Sequence, residues 1–251
     1  RVLAATGRDD EAAVMAERFT QWVIEDRFIA GRPAWQTVGV ELVPSVAPYE
    51  EAKIRILNAS HSCIAWAGTL AGLEHIHEGC AVPAIRQMAW DYVTRDVIAC
   101  LCAPGRPSPP DLPAYRDTVL ERFGNAALRD TNQRVAADGF AKIPGFIAPT
   151  LRERLADNAA IDAAAMLPAL FLAFLQRWHQ GTLPYAYQDQ AMDPAVAHAI
   201  CVAPDPVASL CAEPLLWGEV AGHPLLVESV RRASERVRAF VDRTETCTRR
   251  S

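Results

Sequence analysis

Pro48, with Glu50 and Glu51 just after it, opens the stretch that most constrains this chain: a helical pattern reaching to about Glu78. Proline suits the first helical position, and acids in the first turn meet the positive end of the helix dipole. Gly68 and Gly72 are the weak points before Gly79. A chain built around such a segment must pack other helices against it.

The rest of the sequence agrees. Ala12, Val14, Met15, Phe19, Trp22 and Val23 recur at three- and four-residue spacing, which predicts a helix over 9–30 that Gly31-Arg32-Pro33 stops. Thr37 to Val43 is a strand or an extended connector. Helices are expected over 83–102, 113–134, 150–158, 160–179, 194–202, 205–211 and 224–244. Five prolines make 103–113 a loop, and Asp138-Gly139 is a break. The expected fold is mainly α, one multi-helical domain over 1–251 with short connections.

Composition narrows the function. At 51% apolar and 22% charged residues, a chain of 251 residues can bury a large core. A net charge of −5 argues against nucleic acid and against an anionic membrane as partners. The most apolar run, 163–175, is shorter than the ~20 residues a bilayer needs, and reads as a buried helix. No two of the 13 glycines are spaced G-x-G, so the glycine-rich dinucleotide and phosphate cradles are absent. The chain starts at Arg1 without a signal-peptide pattern, and its seven scattered cysteines fit a reducing, cytoplasmic setting.

The chemistry concentrates on 48–62. Taking Glu50 as zero on an α-helix, Lys53 lies at about −60°, Asn58 at about 80° and His61 at about 20°. The four share an arc of about 140° with Ile54 and Leu57. Burial among those apolar residues would lower the pKa of Lys53 and make it a general base near neutral pH. Asn58 can donate its amide to an oxyanion, and His61 can bond a hydroxyl. The plainer reading is a solvated Glu50–Lys53 pair and ordinary surface or core groups at 58 and 61.

Lys53-x4-Asn58-x2-His61 resembles the signature of the polyol-specific long-chain dehydrogenases. Other matching pieces run in order: 26–28 with 31–35, Pro48-Tyr49-Glu50, 57–62, Arg122-Phe123-Gly124-Asn125, 138–144 and Trp178. The resemblance covers roughly 22–241. Three runs, 58–70, 130–140 and 178–185, are more similar to the members that oxidise D-arabinitol than to those that oxidise mannitol.

The resemblance implies an NAD-dependent oxidoreductase acting on a small polyol or its ketose. It implies that this chain is the helical C-terminal substrate domain, and that a Rossmann-type NAD-binding domain packs against it from outside this sequence. Cofactor contacts would lie mostly in that other domain, and the isolated chain is expected to be inactive. Lys53 would be the general base, Asn58 the stabiliser of the developing alkoxide, His61 the group that orients the polyol, and Glu50 the outlet for the proton. Arg134 and Lys142 would lie near substrate hydroxyls; otherwise they are surface cations beside the 138–139 turn. The competing readings are mannitol oxidation to fructose, and a helical interaction module without activity.

No metal is expected. On a helix, His75-x-His77 would point its rings about 200° apart. Cys100-x-Cys102 has no second ligand pair near it. Trp66 and Trp178 are core or pocket wall, with Trp66 the candidate for shortening a pocket to five carbons.

Overall fold

The computed structural model describes residues 2–13, 17 and 19–248, apart from the side chains of 245, 247 and 248. The chain divides into two units, residues 1–47 and 48–251.

In the first unit, helix α1 (Val2–Thr6) precedes two short parallel strands, β1 (Val23–Glu25) and β2 (Glu41–Val43), paired Val23 to Glu41 and Glu25 to Val43. The helix expected over 9–30 is therefore not formed at 23–25; Val14 and Met15 lie outside the described residues. Local packing overrides the helical spacing. Val23 and Ile24 are β-branched and suit a strand. Trp22 stacks on Trp35 at 6.3 Å, and Phe28 meets Trp35 edge-on at 5.5 Å. Arg32 closes the segment by donating to Asp26 Oδ1 at 2.8 Å and Oδ2 at 3.1 Å. The 37–43 connector resolves into a turn of 3-10 helix (Trp35–Val38) and then β2.

The second unit is helical. Helix α2 (Ala47–Ala52) passes through a π turn (Lys53–Asn58) into α3 (Ala59–Leu70). Gly72, at φ +75°, ends the expected long helix. Then come α4 (Ile76–Ala81), α5 (Pro83–Asp91), a second π turn (Tyr92–Val97) and α6 (Ile98–Leu101). After the proline-rich loop follow α7 (Leu112–Phe123), α8 (Asn132–Ala136), α9 (Gly139–Lys142), a third π turn (Ile143–Ile147) and α10 (Ala148–Ala156). The last five are α11 (Met166–His179), α12 (Pro194–Val202), α13 (Pro206–Cys211), α14 (Pro214–Trp217) and α15 (Pro224–Thr248). The single helix expected over 113–134 is thus two, separated by a segment with Arg129 at φ +50°.

Helix α3 is the centre of this body. Every one of its residues is buried except His61, as expected of a helix surrounded by α4, α5, α8 and α11. Its hydroxyls are satisfied within the helix: Thr69 donates to Ala65 O at 2.8 Å and Ser62 to Asn58 O at 3.2 Å. Gly68 lets α8 approach, because a Cβ there would stand 2.7 Å from the Asn132 amide nitrogen. Helix α11 starts later than the expected 160. Pro168 then sits in its first turn, where a missing N–H costs nothing. The amphipathic α15 covers α11. Among the described residues, no helix is long and apolar enough to cross a membrane, and the six cysteines whose side chains are described are free thiols.

Candidate active site

Lys53 and Asn58 stand at the two ends of one π turn. Residues five apart on an α-helix are separated by about 140°. The i→i+5 bonding of a π turn brings such a pair back toward the same side. The expected α-helical arc is therefore corrected: lysine and asparagine share a side more closely than 100° steps allow.

The turn is anchored from within. Arg55 is 4% exposed, whereas Lys53, two residues earlier, is exposed. Arg55 Nη1 donates to Glu153 Oε2 at 2.8 Å, and Nη2 lies 2.7 Å from Glu51 Oε1. Arg106 reaches both acids as well, Nη1 donating to Glu153 Oε2 at 2.8 Å. Burial works to raise the Glu153 carboxyl, but the two guanidiniums outweigh it and hold the group at about 2.

On the outer side, Glu50 and Lys53 are exposed and Asn58 is half-buried. None of these three side chains makes a hydrogen bond or ion pair among the described residues, so the solvated Glu50–Lys53 pair is not formed. Nor is Lys53 the buried amine expected from its neighbours, because Ile54 and Leu57 are themselves only half-buried.

His61 is the one side chain of α3 that leaves the core. Phe123, at the end of α7, stacks on its ring at 4.5 Å and 17°. Asp130 Oδ2 lies 3.4 Å from His61 Nε2. Burial lowers the imidazole to about 4 against the pull of Asp130; the charges of Arg134, Lys142 and Arg122 push the same way as burial. The ring is neutral at pH 7.

Asp130 and Arg134 are brought there by 130–136, which is clamped to 73–76. Ile76 N donates to Asp130 O at 2.9 Å, Asn132 N to Glu74 O at 2.8 Å, and the Asn132 amide to Leu73 O at 2.9 Å. Thr131 caps α8 by accepting from Arg134 N. Arg134 forks onto Asp130, with Nε donating to Oδ1 at 2.6 Å and Nη2 to Oδ2. Burial tends to raise Asp130, but this fork and the neighbouring charges hold it below the usual carboxylate range.

Lys142 ends α9 and donates Nζ to Val135 O at 2.7 Å. Burial lowers its pKa, against the pull of Asp138. The burial effect anticipated at Lys53 thus falls on the second lysine, and these are the chain's only two lysines. The turn that places Lys142 is fixed by the loop beyond α11. Tyr187 O–H donates to Asp189 Oδ2 at 2.6 Å, and Asp189 Oδ2 accepts from Phe140 N at 2.7 Å. Gly139 N donates to the Tyr187 hydroxyl at 3.0 Å.

Trp66 is fully buried against Phe171 at 5.0 Å, so it is core and not the pocket wall considered for it. Trp178 is half-buried and stacks on His198 at 4.5 Å. His75 precedes α4 in an extended conformation, so the helical 200° separation from His77 does not apply, and the rings are 5.4 Å apart. Among the described residues, no group of three or more His, Cys, Asp or Glu is placed to hold a metal.

The structure therefore brings His61, Arg134 and Lys142 into one electrostatic cluster. It adds two residues that spacing alone did not single out, Asp130 and Phe123. The i,i+4 relation of Asp130 to Arg134 was the available clue for the first. A neutral imidazole, a tethered guanidinium, an ammonium and a free amide suit an uncharged ligand rich in hydroxyls. Lys53 adds an exposed amine to this set.

Residues 45–238 match the family described as the mannitol dehydrogenase C-terminal domain. The chain is 63% identical to D-arabinitol 4-dehydrogenase of Ralstonia nicotianae over 240 residues, covering 96% of this chain and 51% of that protein. It is 55% identical to D-arabinitol 4-dehydrogenase of Klebsiella pneumoniae, covering 89% of this chain and 48% of that protein. Its structure resembles Pseudomonas fluorescens mannitol 2-dehydrogenase, solved as a ternary complex with NAD and D-mannitol. There the TM-score is 0.75 at 31% identity, covering 93% of this chain and 47% of that one. The chain spans about half the length of each of these relatives.

Proposed function

This chain belongs to the mannitol dehydrogenase C-terminal domain family, and from that premise we propose that it is the substrate-side half of an NAD-dependent polyol dehydrogenase. D-arabinitol, oxidised to D-xylulose, is the proposed substrate, because the two D-arabinitol 4-dehydrogenases reported above are each more than half identical to this chain. The observation that carries the site assignment is the π turn with an uncommitted amine at one end and an uncommitted amide at the other, one helical turn before His61.

In this reading Lys53 takes the proton from the reacting hydroxyl, and Asn58 donates its amide to the oxygen that gains charge. Neutral His61, Arg134 and Lys142 hold the remaining hydroxyls, which removes the orientational cost of reaction. Glu50, exposed one turn before Lys53, passes the proton to solvent. NAD, when bound, accepts the hydride from the carbinol carbon. This chain has no G-x-G spacing of the kind that cradles a dinucleotide phosphate. The reading therefore places the nucleotide on a Rossmann-type domain that packs against this one, with no metal at the carbinol.

The test is a comparison of NAD-linked initial rates on the complete protein with D-arabinitol and D-mannitol. A kcat/KM at least about tenfold higher for D-arabinitol is expected, within the range that one hydroxymethyl of fit supplies. Equal rates, or a mannitol preference, would replace D-arabinitol by mannitol. Absence of oxidation of either polyol would remove the reading. Titrating NADH against the 251-residue chain alone should show no micromolar binding.

A further inference from the structure

We propose that Asp130 is a positioning residue that sets the tautomer of His61 and fixes the direction of Arg134 at the same time. The proposal rests on the polyol reading above and concerns the same site.

The geometry leaves the Asp130 carboxylate little freedom. Its main-chain carbonyl accepts from Ile76 N at 2.9 Å, and its two carboxylate oxygens accept the Arg134 fork. Oδ2 also faces His61 Nε2 at 3.4 Å. An ionised carboxylate only accepts hydrogen bonds. The neutral imidazole facing it therefore carries its hydrogen on Nε2, and Nδ1 keeps its lone pair. Phe123, nearly parallel to the ring at 4.5 Å, restricts any rocking of the imidazole out of that plane.

Two consequences follow for the ligand. His61 Nδ1 can only accept, so it reads a hydroxyl as a donor. Arg134 gives Nε–H and one Nη2 hydrogen to Asp130, and its remaining N–H groups can only donate, so they read a neighbouring hydroxyl as an acceptor. One carboxylate thereby makes His61 Nδ1 an acceptor and tethers Arg134, which only donates. A lysine or a plain hydroxyl at position 130 would not do this.

The experiment uses the complete protein with 15N-labelled histidine, as wild type, Asp130→Asn, Asp130→Glu and Arg134→Lys. Wild-type His61 should show the Nε2–H tautomer. In Asp130→Asn the amide can turn its NH2 toward Nε2, and the Nδ1–H form should gain population, as happens when an amide replaces the aspartate behind a catalytic histidine. The polyol KM should rise about 10- to 100-fold, the loss of one charge-assisted hydrogen bond, while kcat and the KM for NAD change less than about threefold. Asp130→Glu should keep the wild-type tautomer. Arg134→Lys should raise the polyol KM without altering the tautomer.

An Nδ1–H tautomer in the wild type would overturn the proposal, as would an Asp130→Asn protein that keeps both tautomer and KM. If Asp130→Asn does not fold, the wild-type tautomer and the Arg134→Lys result decide. A wild-type protein that oxidises no polyol would remove the functional reading but leave the tautomer measurement standing, so the two failures are distinct.

Discussion

Arg55 and Glu153, 98 positions apart in the chain, are joined by a guanidinium–carboxylate fork directly behind the turn that carries Lys53. The fork ties the first π turn to α10, and Glu51 and Arg106 complete a four-charge cluster around it. The exposed Lys53 is thus held from its buried neighbour Arg55.

Glu153→Gln should destabilise the helical unit by about 1–3 kcal/mol, the usual worth of hydrogen bonds to a charged group. Arg55 keeps Glu51, so the loss should stay in that range. The native carboxyl is held at about 2, against an ordinary value of 4.5 for a glutamate. Its contribution is present above about 4.5 and is lost as pH falls toward 2. Urea midpoints of wild type and variant, compared between pH 7 and 3, should converge on the acid side; a gap that stays constant with pH would contradict the ion-pair account.

Lys53→Met in the complete protein should lower kcat for polyol oxidation by about 10²- to 10⁴-fold. Stability should be nearly unchanged, because Lys53 is exposed and unpaired among the described residues. A variant retaining more than about a tenth of wild-type kcat would show that another group takes the proton.

Gly139→Ala tests the turn that carries Lys142. An added Cβ would stand 2.3 Å from a Phe171 ring carbon and 2.9 Å from the Tyr187 hydroxyl. Neither can retreat easily: Phe171 is fully buried, and Tyr187 is bonded to Asp189. Overpacking of this kind costs about 1–3 kcal/mol, so a thermal melt should shift downward by several degrees. A weaker polyol affinity should accompany it, read as a raised KM.

His61 should remain neutral down to about pH 4. A His-selective NMR titration should show its ring unprotonated at pH 5.5, despite Asp130 beside it, with Arg134, Lys142 and Arg122 adding to the effect of burial. The folded state resists this proton while the unfolded chain takes it near 6.5. His61 therefore contributes stability above about 6.5 that declines as pH falls toward 4. Protonation near 6.5 in the native protein would contradict the buried ring seen here.

Much of this was written in the sequence, and the exceptions have physical causes. Helices α3 and α11 were legible because burial all round leaves long apolar runs with few breaks. Strand β1 was not, because three residues cannot show an alternation and their spacing also fits a helix. The helix at 139–142 was missed because Asp138-Gly139 looks like a break. Asp138 takes a left-handed conformation and starts a helix there. For the candidate site, spacing and the family resemblance single out Lys53, Asn58 and His61. They do not single out Asp130 and Phe123, since these reach His61 only once α7 and α8 fold back on α3. Trp66 was assignable only when its burial was seen.

The π turn at 53–58 has a consequence for how this site can change over time. A π turn holds one residue more than the α-helical turn it replaces. Deleting one of the four residues between Lys53 and Asn58 would restore ordinary α-helical register and leave the two about 40° apart, still on one side. Relaxation of the turn to α-helical bonding at its present length would instead set the lysine and the amide about 140° apart. The alignment of these two groups therefore depends on the turn keeping its π bonding at this length of chain.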